Sequence, residues 1–177
     1  MSNEILHKRI EEQFNSLFSD SLDVPLYSIE PPEVPAYIQD NLSHPLREYQ
    51  AQALRQLIFT QEADNADLSF NHLLFHMATG SGKTLVLAST ILYLFKEHSQ
   101  QNFIFFVNSD AIIKKTYDNL TNESSSKYLF QKEGIVIDGK RISIQVVDVF
   151  PAFPDANTIY LKSVSYTHLT LPTILRV

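Results

Sequence analysis

A short glycine loop is the part of the sequence whose residue types and spacing could do chemistry. Residues 73–89 read LLFHMATGSGKTLVLAS and hold two of the chain's four glycines, Gly80 and Gly82. Glycine at these positions lets backbone N–H groups approach phosphate oxygens with no Cβ in the way. Lys83 would then reach the β- and γ-phosphates of a nucleotide, and the Thr84 hydroxyl would ligate Mg²⁺. The candidate phosphate-binding residues are Thr79, Gly80, Ser81, Gly82, Lys83 and Thr84.

The loop departs from the usual pattern G-x-x-x-x-G-K-[ST] at one position, where Met77 replaces the first glycine. The alternative is a chance Gly-Ser-Gly-Lys-Thr run in an ordinary turn.

ATP hydrolysis by phosphate-loop motors also needs an acidic strand end, with an Asp for the Mg²⁺ shell and a Glu for the attacking water. The chain has 20 acidic residues but no Asp-Glu dipeptide. Asp148 ends an apolar run, but Val149 stands where the glutamate is needed, so we reject it as this element.

The segments around the loop predict the elements that position it. The run HLLFHMA, residues 72–78, suits a buried strand, and a helix is expected from Lys83 to Glu97. NFIFFVN predicts a second buried strand and SDAIIKKTYDNL a second helix, which Ser109 or Asp110 could cap. This alternation predicts an α/β fold with a mainly parallel sheet. His72 and His76 have no Asp, Glu or Cys partner at metal-ligand spacing, so we interpret them as ordinary strand-end or packed histidines.

Further elements are predicted on both sides. An apolar stripe favours a helix over residues 3–19, and five prolines between residues 25 and 45 predict extended chain rather than helix. Helical spacing returns over Leu46–Phe59, with Pro45 at its start. Asp138-Gly139 between two β-branched runs predicts a tight hairpin, and NTIYLKS predicts a last short strand.

A second candidate motif precedes the loop by about thirty residues, in LREYQAQAL. Its Arg47, Tyr49 and Gln50 lie on the predicted helix. A glutamine amide both donates and accepts hydrogen bonds, which suits the edge of adenine. By itself a glutamine such as Gln50 is more often a residue of a polar helix face, and its significance comes from the loop that follows.

Together these motifs resemble the N-terminal motor domain of superfamily 2 helicase-type ATPases. More narrowly, they resemble the restriction (R, or Res) subunit of type III restriction enzymes and its DEAD/DEAH-box relatives. LREYQAQAL is similar to the adenine-reading motif of that family, LLFHMATGSGKTLVLASTILYL to its motif I and NFIFFVNSDAIIKKTYDNL to its motif Ia. SSKYLF is similar to a stretch that follows motif Ia, and the resemblance covers residues 23–162.

The resemblance implies a RecA-like domain that binds ATP and Mg²⁺ and couples ATP hydrolysis to movement on double-stranded DNA. It implies that Arg47 and Gln50 lie at the nucleotide and that Asn108 and Ser109 lie near the nucleic-acid backbone. Asn108 and Ser109 could instead simply end a strand and cap a helix. A methyltransferase (modification) subunit is the implied partner, and DNA-site recognition would belong to it.

Composition limits these expectations. The formal charge is −6, so the chain lacks the overall basic footprint of a free-standing nucleic-acid binder, and any DNA contact must be local. No cysteine is present, which excludes disulfides and thiolate metal sites and permits a cytoplasmic location. The charged N-terminus does not read as a signal peptide, and no apolar run approaches the roughly 20 residues that span a membrane.

The sequence suggests three segments: an N-terminal helix and proline-rich stretch (residues 1–44), a partial RecA-like ATPase domain (45–162) that stops before its acidic strand, and a tail (163–177). Residues 164–173 read VSYTHLTLPT, which resembles one reading frame of a transposase-type sequencing adapter. We interpret the tail as non-native read-through; a genuine threonine-rich strand is the alternative. Sequencing the locus in source DNA would decide between them.

Competing functions remain open at this stage. A small phosphate-loop kinase usually carries its loop near the N-terminus, whereas 76 residues precede this one. A stand-alone superfamily 2 helicase would share all of the motifs. A non-catalytic nucleotide- or nucleic-acid-binding module would explain the missing acidic pair. The expectation that best fits the motifs is a fragment of a DNA translocase that binds ATP and is inactive in hydrolysis by itself.

Overall fold

The computed structural model describes residues 32–62, 73–107 and 109–165. Its helices are α1 (Ala36–Asn41), α2 (Glu48–Glu62), α3 (Lys83–His98) and α4 (Asp110–Thr121). Its strands are β1 (Asn102–Val107), β2 (Ile135–Ile137), β3 (Lys140–Val146) and β4 (Thr158–Ser165). The predicted helix over residues 3–19, His72 and Asn108 lie outside the described residues.

The four strands form one sheet in the order β1-β4-β3-β2. β4 runs parallel to β1, with Phe103 opposite Leu161, and parallel to β3, with Ile144 opposite Ile159. Only the β2–β3 pair is antiparallel. The predicted α/β fold with a mainly parallel sheet is therefore confirmed.

The hairpin between β2 and β3 forms where the sequence predicts it. Asp138 and Gly139 have φ values of 51° and 74°. A two-residue turn of type I′ requires positive φ at both central positions, and Asp and Gly are among the residues that adopt it most readily. The prediction of a tight hairpin at Asp138-Gly139 is confirmed.

The strand predicted immediately before the glycine loop is not formed. Residues 73–78 have no regular secondary structure, and the Leu74 side chain is 92% exposed. A buried strand needs a neighbouring strand to take up its backbone N–H and C=O groups. Within the described part of the chain, no strand pairs with this segment. An apolar run alone therefore did not determine the conformation of these residues.

The proline-rich stretch also differs from its prediction, because residues 36–41 are helical rather than extended. Pro35 occupies the N-cap of α1, where the missing N–H of proline costs nothing. The next proline is Pro45, so the intervening residues can form a helical turn. Burial of Ile38 and Leu42 then stabilises it, since both side chains are at most 2% exposed.

α1 is tied to the hairpin by a buried asparagine. Asn41 Nδ2 donates to Val136 O at 2.8 Å, and Val136 N donates to Asn41 Oδ1 at 2.6 Å, so the side chain pairs with β2 much as a strand would.

A lysine of α3 also contacts both α1 and the hairpin. Lys96 Nζ lies 3.0 Å from Asp138 Oδ1 and 4.2 Å from the centre of the Tyr37 ring. Burial, followed by the nearby Glu97 carboxylate, raises the pKa of Tyr37.

The chain divides into two compact units. The first comprises Met1–Glu33 and Arg55–Phe75, and within it Arg55 Nη2 lies 2.8 Å from Glu33 Oε2. The second comprises Val34–Leu54 and His76–Val177 and holds the whole sheet, so helix α2 contributes residues to both units. The glycine loop from residue 76 onward and the first two turns of α2 belong to the second unit.

β1 is less buried than the sequence predicts. Phe103, Phe105 and Val107 are half-buried, whereas Ile104 and Phe106 on the opposite face are 47% and 65% exposed.

β4 continues beside β1 as far as Ser165, and the remaining tail lies outside the described residues. Strand pairing needs only backbone groups, so it is compatible with a native or a non-native tail. The interpretation of the tail as non-native therefore stays a prediction.

Among the helices in the described ranges, none is long and apolar enough to cross a membrane.

Candidate nucleotide-binding site

The glycine loop forms a tight turn that leads directly into α3. Ser81 N donates to Ala78 O at 3.2 Å, which closes the turn. Gly80 and Gly82 have φ values of 81° and 79°, a left-handed conformation that residues with a Cβ rarely adopt. Gly82 is the N-cap of α3, and no side chain caps this helix end. The two glycines therefore permit the backbone turn that leads into α3.

The start of α3 presents unpaired donors. Gly82 O accepts the first helical hydrogen bond, from Leu85 N at 2.9 Å. Within the described residues, the N–H groups of Gly82, Lys83 and Thr84 have no hydrogen-bond partner. Unpaired N–H groups and the positive end of the helix dipole favour an anion at this position. Lys83 is exposed and Thr84 is half-buried, so a cation and a hydroxyl stand beside these donors.

The Lys83 ammonium contacts the loop itself. Its Nζ donates to Met77 O at 2.9 Å and to Ala78 O at 3.0 Å. An ammonium group has only donors, so a bound phosphate would offer stronger, charged acceptors in place of these two carbonyls. Lys83 is thus held within the loop by bonds that an anionic ligand could replace.

Gln50 connects α2 to this loop. Its Oε1 accepts from Arg47 N at 2.9 Å, and its Nε2 donates to Ser81 O at 2.8 Å and, at 3.4 Å, to Gly82 O. The first of these bonds is half of a capping box, in which the third helical residue reaches back to the N-cap N–H. The side chain is only 3% exposed, and a Cβ on Gly82 would lie 2.5 Å from Nε2. Glycine at 82 is therefore needed for the close approach as well as for its backbone conformation.

Tyr49, at the start of α2, also reaches this loop, and Arg47 contacts Tyr49. Tyr49 OH donates to Ser81 O at 2.8 Å, and Arg47 Nη1 donates to Tyr49 OH at 3.1 Å. The structure thus brings Gln50 to the loop directly and Arg47 only through Tyr49. Sequence reasoning named Tyr49 but gave it no role. The capping role of Gln50 was also missed, because the usual signature has Ser or Thr at the N-cap and this helix has Arg47.

The candidate nucleic-acid residues are only partly described. Ser109 is the N-cap of α4, with φ −154°, but its hydroxyl makes no capping hydrogen bond. Ser109 therefore occupies the predicted N-cap position, although its side chain does not close a capping hydrogen bond. Ser109 is half-buried and lies two residues after the end of β1.

The described residues offer little else for a metal. No group of three or more His, Cys, Asp or Glu side chains in them is arranged to hold an ion. His76 and Asp148 are both exposed. The Thr84 hydroxyl is therefore the candidate Mg²⁺ ligand of this loop, together with oxygens of a bound nucleotide.

The fold and this loop define an α/β protein with a glycine-rich turn at the start of a helix. The chain belongs to the family described as "Type III restriction enzyme, res subunit", whose sequence pattern matches residues 43–170. It is 37% identical over 137 residues to the "Probable type III restriction-modification enzyme HindVIP Res subunit" of Haemophilus influenzae. That match covers 74% of this chain and 26% of the relative, so the chain spans about a quarter of that protein's length. No solved structure matches the chain.

Proposed function

We propose that the chain is the ATP-binding part of a type III Res subunit motor and that its sheet is the core of a RecA-like domain. The observation that carries this proposal is the row of unpaired N–H groups at Gly82, Lys83 and Thr84 in a chain of this family. Donors of this kind at a helix start bind the phosphates of nucleotides in many α/β proteins.

Each residue of the site has a proposed part. The backbone from Thr79 to Gly82 would surround the β-phosphate, and Lys83 would exchange its two carbonyl contacts for phosphate oxygens. The Thr84 hydroxyl would ligate Mg²⁺, which neutralises phosphate charge when bound. Arg47 and Gln50 would lie at the adenine end. Gln50 already uses its amide on Arg47 N, Ser81 O and Gly82 O, so only its remaining acceptor capacity would be available to a base.

The Haemophilus relative is named as part of a type III restriction-modification enzyme. By analogy we propose that the motor acts on double-stranded DNA with a modification subunit as partner, and that Ser109 and Asn108 contact the DNA backbone. A stand-alone helicase of the same branch would bind ATP and DNA without that partner. Dependence of DNA binding on a modification subunit distinguishes these two functions.

A second candidate, nucleotide binding without hydrolysis, is favoured by one sequence observation. The 177 residues contain no Asp-Glu dipeptide to hold Mg²⁺ and orient water. We therefore expect this chain to bind ATP without turning it over.

Both candidates can be tested on the 177-residue chain with a fluorescent ATP analogue and Mg²⁺. We expect saturable binding that Lys83→Ala abolishes and that Lys132→Ala, which removes an exposed lysine elsewhere, leaves intact. Release of phosphate from ATP is then measured with and without duplex DNA. Turnover that disappears in Lys83→Ala would contradict the binding-only expectation, whereas absence of nucleotide binding would contradict the proposed function altogether.

A further inference from the structure

Tyr49 is an exposed aromatic residue with a specific hydrogen-bonding role. Its ring is 42% exposed, yet its hydroxyl lies 2.8 Å from Ser81 O and 3.1 Å from Arg47 Nη1. The direction of both bonds is fixed by chemistry. A carbonyl oxygen can only accept and a guanidinium can only donate, so the hydroxyl donates to Ser81 and accepts from Arg47.

The carbonyl oxygen of Ser81 therefore receives two donors from neighbouring residues of α2. Tyr49 OH and Gln50 Nε2 each approach it at 2.8 Å. A carbonyl oxygen has two lone pairs, so these two bonds saturate it. The orientation of the Ser81–Gly82 peptide group is consequently determined by α2, not by the loop alone.

This orientation determines where one candidate phosphate donor points. A trans peptide is planar, and its N–H lies opposite its C=O. No cis peptide occurs in the described residues, so holding Ser81 O toward α2 directs the N–H of Gly82 away from α2. The Gly82 N–H is one of the three unpaired donors at the start of α3.

We propose that Tyr49 is a positioning residue that, with Gln50, holds the Ser81 carbonyl so that the Gly82 N–H faces the nucleotide's phosphates. This proposal rests on the proposed function and adds a residue to it. Tyr49 acts on the Gly82 N–H, which would donate to a phosphate, and not on a group that contacts the base. Removal of the Tyr49 hydroxyl should therefore weaken the binding of every nucleoside triphosphate by the same factor.

The test uses Tyr49→Phe in the 177-residue chain, with Tyr117→Phe as the matched control. Both substitutions remove one tyrosine hydroxyl. The Tyr117 hydroxyl has no hydrogen-bond partner among the described residues, whereas the Tyr49 hydroxyl has two. We expect Tyr49→Phe to weaken ATP and GTP binding by a similar factor, about 3- to 10-fold, as loss of the hydrogen bond from Tyr49 to Ser81 O predicts. In the ligand-free protein, ¹⁵N-glycine labelling should show a shifted Gly82 amide signal in Tyr49→Phe and an unchanged one in Tyr117→Phe.

Each other outcome overturns the proposal in a recognisable way. Unchanged ATP affinity, or an unmoved Gly82 signal, would mean that the Tyr49 hydroxyl does not position this peptide for phosphate. A changed ratio of ATP to GTP affinity would mean that Tyr49 contacts the base. If the unsubstituted chain binds neither nucleotide, the proposed function itself fails, and the wild-type titration identifies that case.

Discussion

Replacing the buried Gln50 by glutamate isolates the contact between α2 and the glycine loop. The change keeps the side-chain shape and the oxygen that accepts from Arg47 N, but it replaces the Nε2 donor by an acceptor. The hydrogen bond to Ser81 O at 2.8 Å is lost, which costs about 1 kcal/mol. A carboxylate oxygen facing two carbonyls in a site only 3% exposed adds about 1–3 kcal/mol. We therefore expect Gln50→Glu to lower the free energy of unfolding by about 2–4 kcal/mol near neutral pH.

Urea denaturation followed by far-UV circular dichroism measures this loss. For a urea slope of about 2 kcal/mol per M, the midpoint should fall by about 1–2 M. Gln52→Glu is the control, because it makes the same chemical change at an exposed position of the same helix. We expect the control to stay within about 0.5 kcal/mol of the wild type.

The pH dependence of Gln50→Glu gives an independent check. Burial and the facing carbonyls should raise the pKa of the introduced carboxyl in the folded state above its unfolded value of about 4.3. A carboxyl with a raised folded-state pKa stabilises the fold below its unfolded pKa and loses that contribution as pH rises through the folded pKa. The protonated acid can also donate to Ser81 O, so the stability deficit should shrink as pH falls. Equal stability of Gln50→Glu and Gln52→Glu at neutral pH would refute the reasoning.

Three further outcomes are expected. Gly82→Ala should lower the free energy of unfolding and the ATP affinity more than Gly80→Ala does. Both positions need positive φ, but only a Cβ at residue 82 would meet another side chain, that of Gln50. Equal effects of the two substitutions would contradict this expectation. Asn41→Ala should cost about 2–4 kcal/mol of unfolding free energy in denaturant titrations, since it leaves both backbone groups of Val136 without their side-chain partner. Because the pKa of Tyr37 is raised, the stability that its neutral hydroxyl contributes is fully present below the unfolded pKa of about 10 and is lost progressively as pH rises above it. Thermal midpoints of the wild type should therefore fall relative to Tyr37→Phe as pH rises past that value.

Local sequence signals determine several elements of the fold. The hairpin was predictable because Asp138 and Gly139 can adopt positive φ, which is a local requirement. Helix α3 was predictable because Gly82 ends the loop and an apolar face follows, and its observed end at His98 is one residue from the expected one. The parallel sheet followed from alternation of helices and strands along the chain.

The errors arise where a segment depends on distant partners. Residues 73–78 look like a buried strand, but strand formation requires a neighbour that the local sequence does not specify. α1 was missed because prolines were taken to exclude helix, whereas Pro35 occupies a position that tolerates proline. The roles of Tyr49 and Gln50 on Ser81 join residues more than thirty positions apart, and no periodicity encodes such a contact.

The central claim is that ATP binds at the loop formed by Gly80, Gly82 and Lys83, and glycine labelling tests it most directly. The chain contains four glycines, so ¹⁵N-glycine protein has four amide signals, two from the loop and two from Gly134 and Gly139 as internal references. Gly82→Ala identifies one loop signal by its disappearance. We predict that ATP with Mg²⁺ shifts the Gly80 and Gly82 signals and leaves the other two unmoved, and that Lys83→Ala removes these shifts. Four unmoved signals at saturating ATP, or shifts confined to Gly134 and Gly139, would contradict the claim.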